Sequence, residues 1–502
     1  MTSSYQNLAT SVQLGSLAAE LVGIEASAMT VTGIQLDSRK VKSGDLFLAC
    51  NGSQFKGRDF IGQAISSGAR AVLLESEQEA VDMYFEGSVP VIPLQNLSVR
   101  SGEIAAEFYG KPSAQIELFG VTGTNGKTTC SQIVAQLCRG IFGSCGVIGT
   151  MGNSLDGSVS KALNTTPDGV TLQALLADWV GHGVSHVAME VSSHALQQGR
   201  TSGLYFDTAI LTNLSRDHLD YHGDMASYAA AKARLFNVPG LKRAVLNIDD
   251  VFGRELLTDL TDRLEVYTYS LERPEADIFA ESVEFAFGHI EAKIRSPWGQ
   301  FDIQAPLLGS FNLSNVLACI GALGVTGATS KQIASNIRRL EPVAGRMQLL
   351  PNTEGLQVVV DYAHTPAALE QALKALRFHC ENRLLCVFGC GGDRDAGKRA
   401  EMGAVASDLA DVIVLTSDNP RSEKPEEIIE QIAAGCANDV LIEVDRAKAI
   451  TMALALAQPG DTVLIAGKGH EQYQLINGEQ LAFSDVAQVA TVFNASSKED
   501  CL

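Results

Sequence analysis

Residues 120–129 read GVTGTNGKTT, and the reading of these ten decides the fold of the chain. An apolar run, residues 116–119, precedes them. SQIVAQLCRG, whose apolar residues recur at helical spacing, follows from Ser131. Strand, glycine-rich turn and helix is the arrangement that cradles a nucleotide phosphate. Gly123 and Gly126 let the backbone turn so that its N–H groups and the helix N-terminus face an anion. Lys127 has the reach for the β- and γ-phosphates, and the Thr128 hydroxyl suits Mg²⁺. The spacing departs from G-x-x-x-x-G-K-[ST] at one point: Val121 stands where glycine is expected, and Gly120 lies one place early.

The 502 residues around this loop are too many for one core and call for two to four domains. Hydrophobic residues make up 46% and charged residues 19%, a globular composition. The net charge of −20 speaks against a nucleic-acid partner or an anionic membrane, where clustered Lys and Arg carry binding. The opening MTSSYQNLATSVQLG has neither the basic start nor the apolar core of a signal peptide, and no apolar run is long enough to span a bilayer. Ten scattered cysteines without a C-x-x-C pair read as buried free thiols rather than zinc ligands, as expected in a reducing cytoplasm.

Apolar runs alternate with helical patterns along the chain, which predicts an α/β fold with mostly parallel sheets. Seams at residues 110–112 and 341–345 divide it into three domains, 1–111, 112–342 and 343–502. Strands are expected at 44–50, 69–75 and 89–94, then at 185–191, 207–214 and 243–249. The last domain supplies strands in 356–364, 383–395, 411–421 and 461–471, each running into a polar, glycine-containing loop. In an open parallel sheet such loops gather at the carboxyl edge, where ligands bind.

Glu190 ends the strand read in VAME, where a nucleotide-binding sheet presents a second metal ligand, although an ordinary strand-end carboxylate reads the same way. His218 and Lys232 have bland readings when taken alone, a structural histidine and a solvated lysine on a helix. His182 and His186 have i, i+4 spacing, but Gly181 and Gly183 break any helix that would align them.

Taken in order, GTNGKTT, NTTPD (164–168), EVSSHAL (190–196), TNLSRDHLDYHG (212–223), AK (231–232), GSFNLSN (309–315), GRM (345–347), DYAHTP (361–366), GGDRDAGKR (391–399), DNPR (418–421) and GKGHE (467–471) resemble the Mur ligase family over nearly the whole chain. The resemblance implies an N-terminal domain for a UDP-linked substrate, a central ATP-binding domain and a C-terminal Rossmann-like domain. The implied enzyme is an ATP-dependent amide ligase of peptidoglycan precursor synthesis, cytoplasmic and monomeric. DNPR, with its arginine, resembles the branch that adds meso-diaminopimelate to UDP-N-acetylmuramoyl-L-alanyl-D-glutamate.

By this resemblance Gly123, Thr124, Asn125, Gly126, Lys127, Thr128 and Thr129 would bind ATP, with Asn312, Arg346, Asp361 and His364 closing over it. Thr128, Glu190, His218 and Lys232 would bind Mg²⁺, Lys232 as a carbamate. Catalysis would fall to Lys127, Lys232 and His218. Asn164, Thr165, Thr166, Ser192, Gln198 and Arg200 match contacts to the UDP-muramoyl peptide, and Leu36 and Ser38 match contacts to its uridine end. Arg394, Asp418, Asn419, Pro420, Arg421, Gly467 and Glu471 match the diaminopimelate pocket. Gln348 departs from the family, where glutamate is usual after GRM.

Two rivals stand beside this reading. Folylpolyglutamate synthetase shares the phosphate loop but needs no additional N-terminal domain, and DNPR with GKGHE fits it poorly. A nucleotide-driven switch is opposed by the absence of an N-K-x-D motif and by the polar loops of the last domain.

Overall fold

The computed structural model describes residues 11–499 apart from 53–54, 79–81, 156, 161–163, 287 and 352–354. The first ten residues of the opening segment, and Cys501, therefore lie outside the described residues. Three sheets organise the rest, each drawn from one stretch of chain.

The N-terminal sheet has parallel strands Gly33–Gln35, Asp45–Ala49, Ala71–Ser76 and Val89–Gln95, edged by the antiparallel Tyr84–Glu86. The central sheet has eleven strands. Its parallel middle runs Gly146–Gly149, His186–Glu190, Glu117–Thr122, Thr208–Leu211, Arg243–Asn247 and Glu265–Ser270. Apolar clusters cover both of its faces, one built on the helices Lys127–Phe142 and Ser310–Gly324, the other on Gly169–Gly181 and Val251–Leu260. Burial on both sides explains why these strands read as continuous apolar runs.

The sheets are mostly parallel, as expected, with antiparallel additions at the edges of the central one. Ile278–Ala286, His289–Ser296 and Gly299–Ala305 form an antiparallel meander at one edge, and a hairpin of Gly152–Leu155 with Ser158–Ser160 closes the other. In the meander Ile290, Ala292 and Ile294 point inward while Glu291 and Lys293 face water. That two-residue alternation is what a sheet with one wet face requires.

In the C-terminal sheet the order is Gln348–Leu350, Gln357–Asp361, Thr462–Ala466, Leu384–Phe388, Val412–Leu415 and Leu441–Ile442, parallel except for the first. Every residue of Leu384–Phe388 is buried. The loops after residues 361, 388, 415 and 466 all leave from the same edge, so topology alone brings together four segments distant in sequence. The helix Pro366–Arg377 starts where Thr365 caps it, its side chain accepting from the Ala368 N–H, with Pro366 in the first turn. Arg446 and Asp485, both fully buried, pair through two hydrogen bonds of 2.7 and 2.8 Å and tie the last helix to this domain.

The reading of the thiols as buried needs a correction. Cys130, Cys138, Cys145, Cys319, Cys386 and Cys390 are buried, but Cys50, Cys380 and Cys436 are only partly covered. No helix among the described residues is long and apolar enough to cross a membrane.

Candidate active site

The phosphate loop leaves the strand Glu117–Thr122 and enters the helix Lys127–Phe142 through Gly126, whose φ is 87°. Gly123 has φ 149° and packs so closely on the Thr212 hydroxyl that no side chain fits there. Lys127 donates from Nζ to the carbonyls of Gly123 and Thr124, both at 2.8 Å. Burial lowers its pKa, while Glu190 and Asp217 pull the other way.

Glu190, almost fully buried at the end of its strand, accepts three hydrogen bonds: from the Thr128 hydroxyl at 2.9 Å, the Thr150 N–H at 2.8 Å and the Thr150 hydroxyl at 3.0 Å. Arg346 donates to the same Thr128 hydroxyl at 3.1 Å and stacks over Tyr362 at 4.4 Å. Lys232 is 1% exposed, donates to the Gly123 carbonyl at 2.7 Å and lies 4.3 Å over the Tyr228 ring. Burial, then the charge of Lys127, holds its pKa well below that of an ordinary lysine. The reading of Lys232 as a solvated helix lysine is thereby excluded.

His218 adopts φ 55° and reaches Asp217 at 3.4 Å, with His364 at 3.9 Å on the same carboxylate. Burial pushes His218 down to about 3 against the pull of Asp217. For Asp217 burial acts upward, but His364, His218, Lys398 and Lys127 outweigh it and hold the carboxyl at about 2.

These groups line a cleft of about 420 Å³ with Thr124, Asn125, Gly126, Asn164, Thr165, Ser192 and Arg200. A smaller cavity of about 150 Å³ opens beside it, lined by Arg394, Asp418, Asn419, Arg421, Gly467 and Glu471 from the carboxyl edge of the C-terminal sheet. Asp217, His218, Tyr362, His364 and Arg394 line both. Behind the lining of the smaller cavity Lys468, fully buried, donates to Glu471 at 2.8 Å and Asn419 at 3.1 Å, with Asp418 at 3.7 Å. Arg421, at φ 53°, donates to the Gly392 carbonyl at 2.7 Å.

Other expected residues stand back from these clefts. Ser38 is buried in the N-terminal segment, donating to Gln63 at 2.7 Å, and neither it nor Leu36 lines either one. Asn312 is packed behind the phosphate loop, donating to the Leu308 carbonyl and accepting from Asn315. Asp361 accepts from the Met347 N–H at 2.6 Å, and burial raises its pKa. Gln198 donates to the Tyr221 hydroxyl. Thr166 is fully buried, its hydroxyl donating to the Glu190 carbonyl at 2.8 Å, and its own carbonyl accepts from Arg200. Thr150, Asp217, Tyr362, Lys398 and Lys468 belong to the site without having been singled out. All but Thr150 stand inside quoted blocks: Asp217 in TNLSRDHLDYHG, Tyr362 in DYAHTP, Lys398 in GGDRDAGKR and Lys468 in GKGHE.

Three family profiles match the chain in the order of its sheets: "Mur ligase family, catalytic domain" over 30–109, "Mur ligase middle domain" over 121–323 and "Mur ligase, glutamate ligase domain" over 345–469. Among curated relatives, the UDP-N-acetylmuramoyl-L-alanyl-D-glutamate–2,6-diaminopimelate ligase of Coxiella burnetii is 45% identical, covering 94% of this chain and 99% of its own length. The chain belongs to the Mur ligase family. The Mur ligase of the same description from Pseudomonas aeruginosa is 47% identical over 92% of this chain and 94% of itself. A solved structure described by the same name superposes with a TM-score of 0.72 at 37% identity, covering 97% of this chain and all of that one. A folylpolyglutamate synthase of Mycobacterium tuberculosis, at 19% identity and TM-score 0.63 over 74% of this Mur ligase, shares the fold.

Proposed function

We propose that this chain is the ATP-dependent ligase that joins meso-diaminopimelate to UDP-N-acetylmuramoyl-L-alanyl-D-glutamate, a cytoplasmic step of peptidoglycan precursor synthesis carried out by a monomer. The observation that carries the reading is the shared wall. A cation-lined phosphate cleft and a pocket of alternating charge meet at Asp217, His218, His364 and Arg394. A ligase needs that junction, because a carboxylate activated on one side must be met by an amine from the other. The domain division at 111/112 and 342/343 is part of the same proposal.

Phosphorylation turns the D-glutamate carboxylate into an acyl phosphate, and the amine then displaces phosphate. Both steps bring anions together, so the work of the protein is positioning and charge neutralisation. Lys127, together with the backbone amides of residues 123–129, takes the β- and γ-phosphates. Asn164, Thr165, Ser192 and Arg200 hold the muramoyl peptide on the far wall of the cleft.

The Thr128 hydroxyl and the Glu190 carboxylate, hard oxygen donors 2.9 Å apart, fit Mg²⁺, as does the largely neutral imidazole of His218. Bound there, Mg²⁺ would neutralise phosphate charge. The buried amine of Lys232, whose charged form is disfavoured by burial and by Lys127, suits reaction with CO₂, and a carbamate would add an anion to the same wall.

In the smaller pocket, the planar guanidinium of Arg421 suits the distal carboxylate that distinguishes meso-diaminopimelate from lysine, and Glu471 suits the adjacent ammonium. Phosphate release measured with meso-diaminopimelate, L-lysine and L-ornithine, with and without the UDP-linked dipeptide, tests the reading. Turnover should require both substrates and fall by about 10⁴ with lysine. Efficient use of lysine overturns the specificity, and release without any amino acid overturns the ligase.

A further inference from the structure

Among the described residues, Lys468, Arg399, Lys232 and Lys398, in and around the two clefts, are almost fully buried, and the first three have evident partners. Lys468 is held by Glu471 and Asn419, Arg399 by Glu423 through both nitrogens, and Lys232 by the Gly123 carbonyl. Lys398 is the exception. It is the second residue of the helix Gly397–Leu409, the residue as a whole is 7% exposed, and among the described residues its ammonium makes no hydrogen bond or ion pair. The body of the residue is covered, but its ammonium keeps a face open to the cavity that Lys398 lines, where an anionic ligand would meet it.

Its position says what the missing partner is. Lys398 lines the smaller cavity beside Asp217, His218, His364 and Arg394, the residues that also wall the phosphate cleft. Its charge is felt by Asp217 and His364 on that side, whereas Glu471 answers to Lys468 instead. The amino acid's charges thus have Arg421, Glu471 and their neighbours to meet them. Lys398 faces the place where phosphate and amine come together.

We propose that Lys398 is a further catalytic residue of the ligation, its ammonium binding the oxygens of the phosphoryl group as that group is transferred and released; the inference rests on the ligase reading. In the first step a carboxylate oxygen attacks the γ-phosphorus and the bond to the bridging oxygen breaks, leaving ADP. In the second the amine nitrogen attacks the acyl carbon, and the C–O bond to phosphate breaks with its electron pair going to phosphate. The surplus amine proton passes to the departing phosphate or to solvent. The group carries net negative charge throughout, and Lys398 stays beside it as it changes from one acceptor to the other.

Steady-state kinetics of the full chain with ATP, the UDP-linked dipeptide and meso-diaminopimelate test this. Lys398→Met should lower kcat by about 10²–10³, with the KM values for the dipeptide and meso-diaminopimelate and the calorimetric Kd for ATP changed less than about threefold. Lys398→Arg should recover part of kcat. Lys398→Gln, polar and of similar length, carries the same expectation and replaces the apolar variant if that one fails to fold. A kcat near that of the wild type, or a rise confined to the KM for meso-diaminopimelate, overturns the assignment. A wild-type chain whose phosphate release ignores the amino acid defeats the ligase reading itself, whereas normal wild-type ligation with fully active variants defeats the role of Lys398 alone.

Discussion

Around the phosphate loop, Lys127, Lys232 and Arg346 are set against Glu190 and Asp217, and threonines and serines line much of the rest. A few ångströms away Asp418 and Glu471 alternate with Lys468, Arg394 and Arg421. The first arrangement suits a polyanion and the second a zwitterion. They also differ in origin. The phosphate loop comes from one continuous turn between a strand and a helix, while the pocket exists only after four strands have paired and delivered their loops to one edge.

If the first cleft works through concentrated positive charge, one change should break it. Lys127→Ala is expected to lower kcat by about 10²–10³ with the fold intact, since Lys127 donates only to its own loop. Rapid-quench measurement of ADP formation against an unchanged thermal midpoint checks this, and near-normal turnover would dissolve the contrast between the two regions.

The second region should respond more selectively. Arg421→Ala is expected to raise the KM for meso-diaminopimelate by about 10- to 100-fold, the loss of one charge-assisted hydrogen-bonded pair. The KM for ATP should move far less. Arg421→Lys should recover only part, because an ammonium lacks the planar fork. Equal effects on all three substrates would mean that the two regions are not separate.

The smallest effect expected is on stability in mild acid. Burial, then Arg346, depresses His470 to about 4, and burial, then His222, does the same for His194. An unfolded histidine titrates near 6.5, so above that pH neither state gains a proton and these groups leave stability unchanged. As pH falls from 6.5 to 4 the unfolded chain takes up protons that the folded one refuses, and stability is lost. Asp217, at about 2 when folded, adds its loss only below its ordinary 3.8. Urea midpoints should therefore decline as pH is lowered from 6.5 towards 4. His470→Gln should flatten part of that decline.

Local chemistry was legible in the sequence, and long-range partnership was not. GTNGKTT carries its structure in its own glycines, and the parallel strands announce themselves as apolar runs. The meander at residues 278–305 is legible only through its alternation, as in Ile290, Glu291, Ala292, Lys293 and Ile294, which is weaker than a continuous apolar run. Thr150 gave no signal, because a threonine after a short strand looks ordinary until Glu190 is placed against it by strand pairing. Asp217 and Lys398 are 181 positions apart and meet only through the packing of two domains. The buried Arg446–Asp485 pair likewise has no local signature.

Gly345, at φ 64°, presses against the backbone of Gly469 and His470, leaving no room for a Cβ. The chain therefore does not cross between its last two sheets on a slack tether. For anyone dividing this protein into separately expressed halves, or inserting a reporter between them, residues 341–345 look inviting in the sequence and are the wrong place to cut. An insertion there would dislodge the turn carrying residues 467–471 and damage amino-acid recognition from the opposite end of the domain.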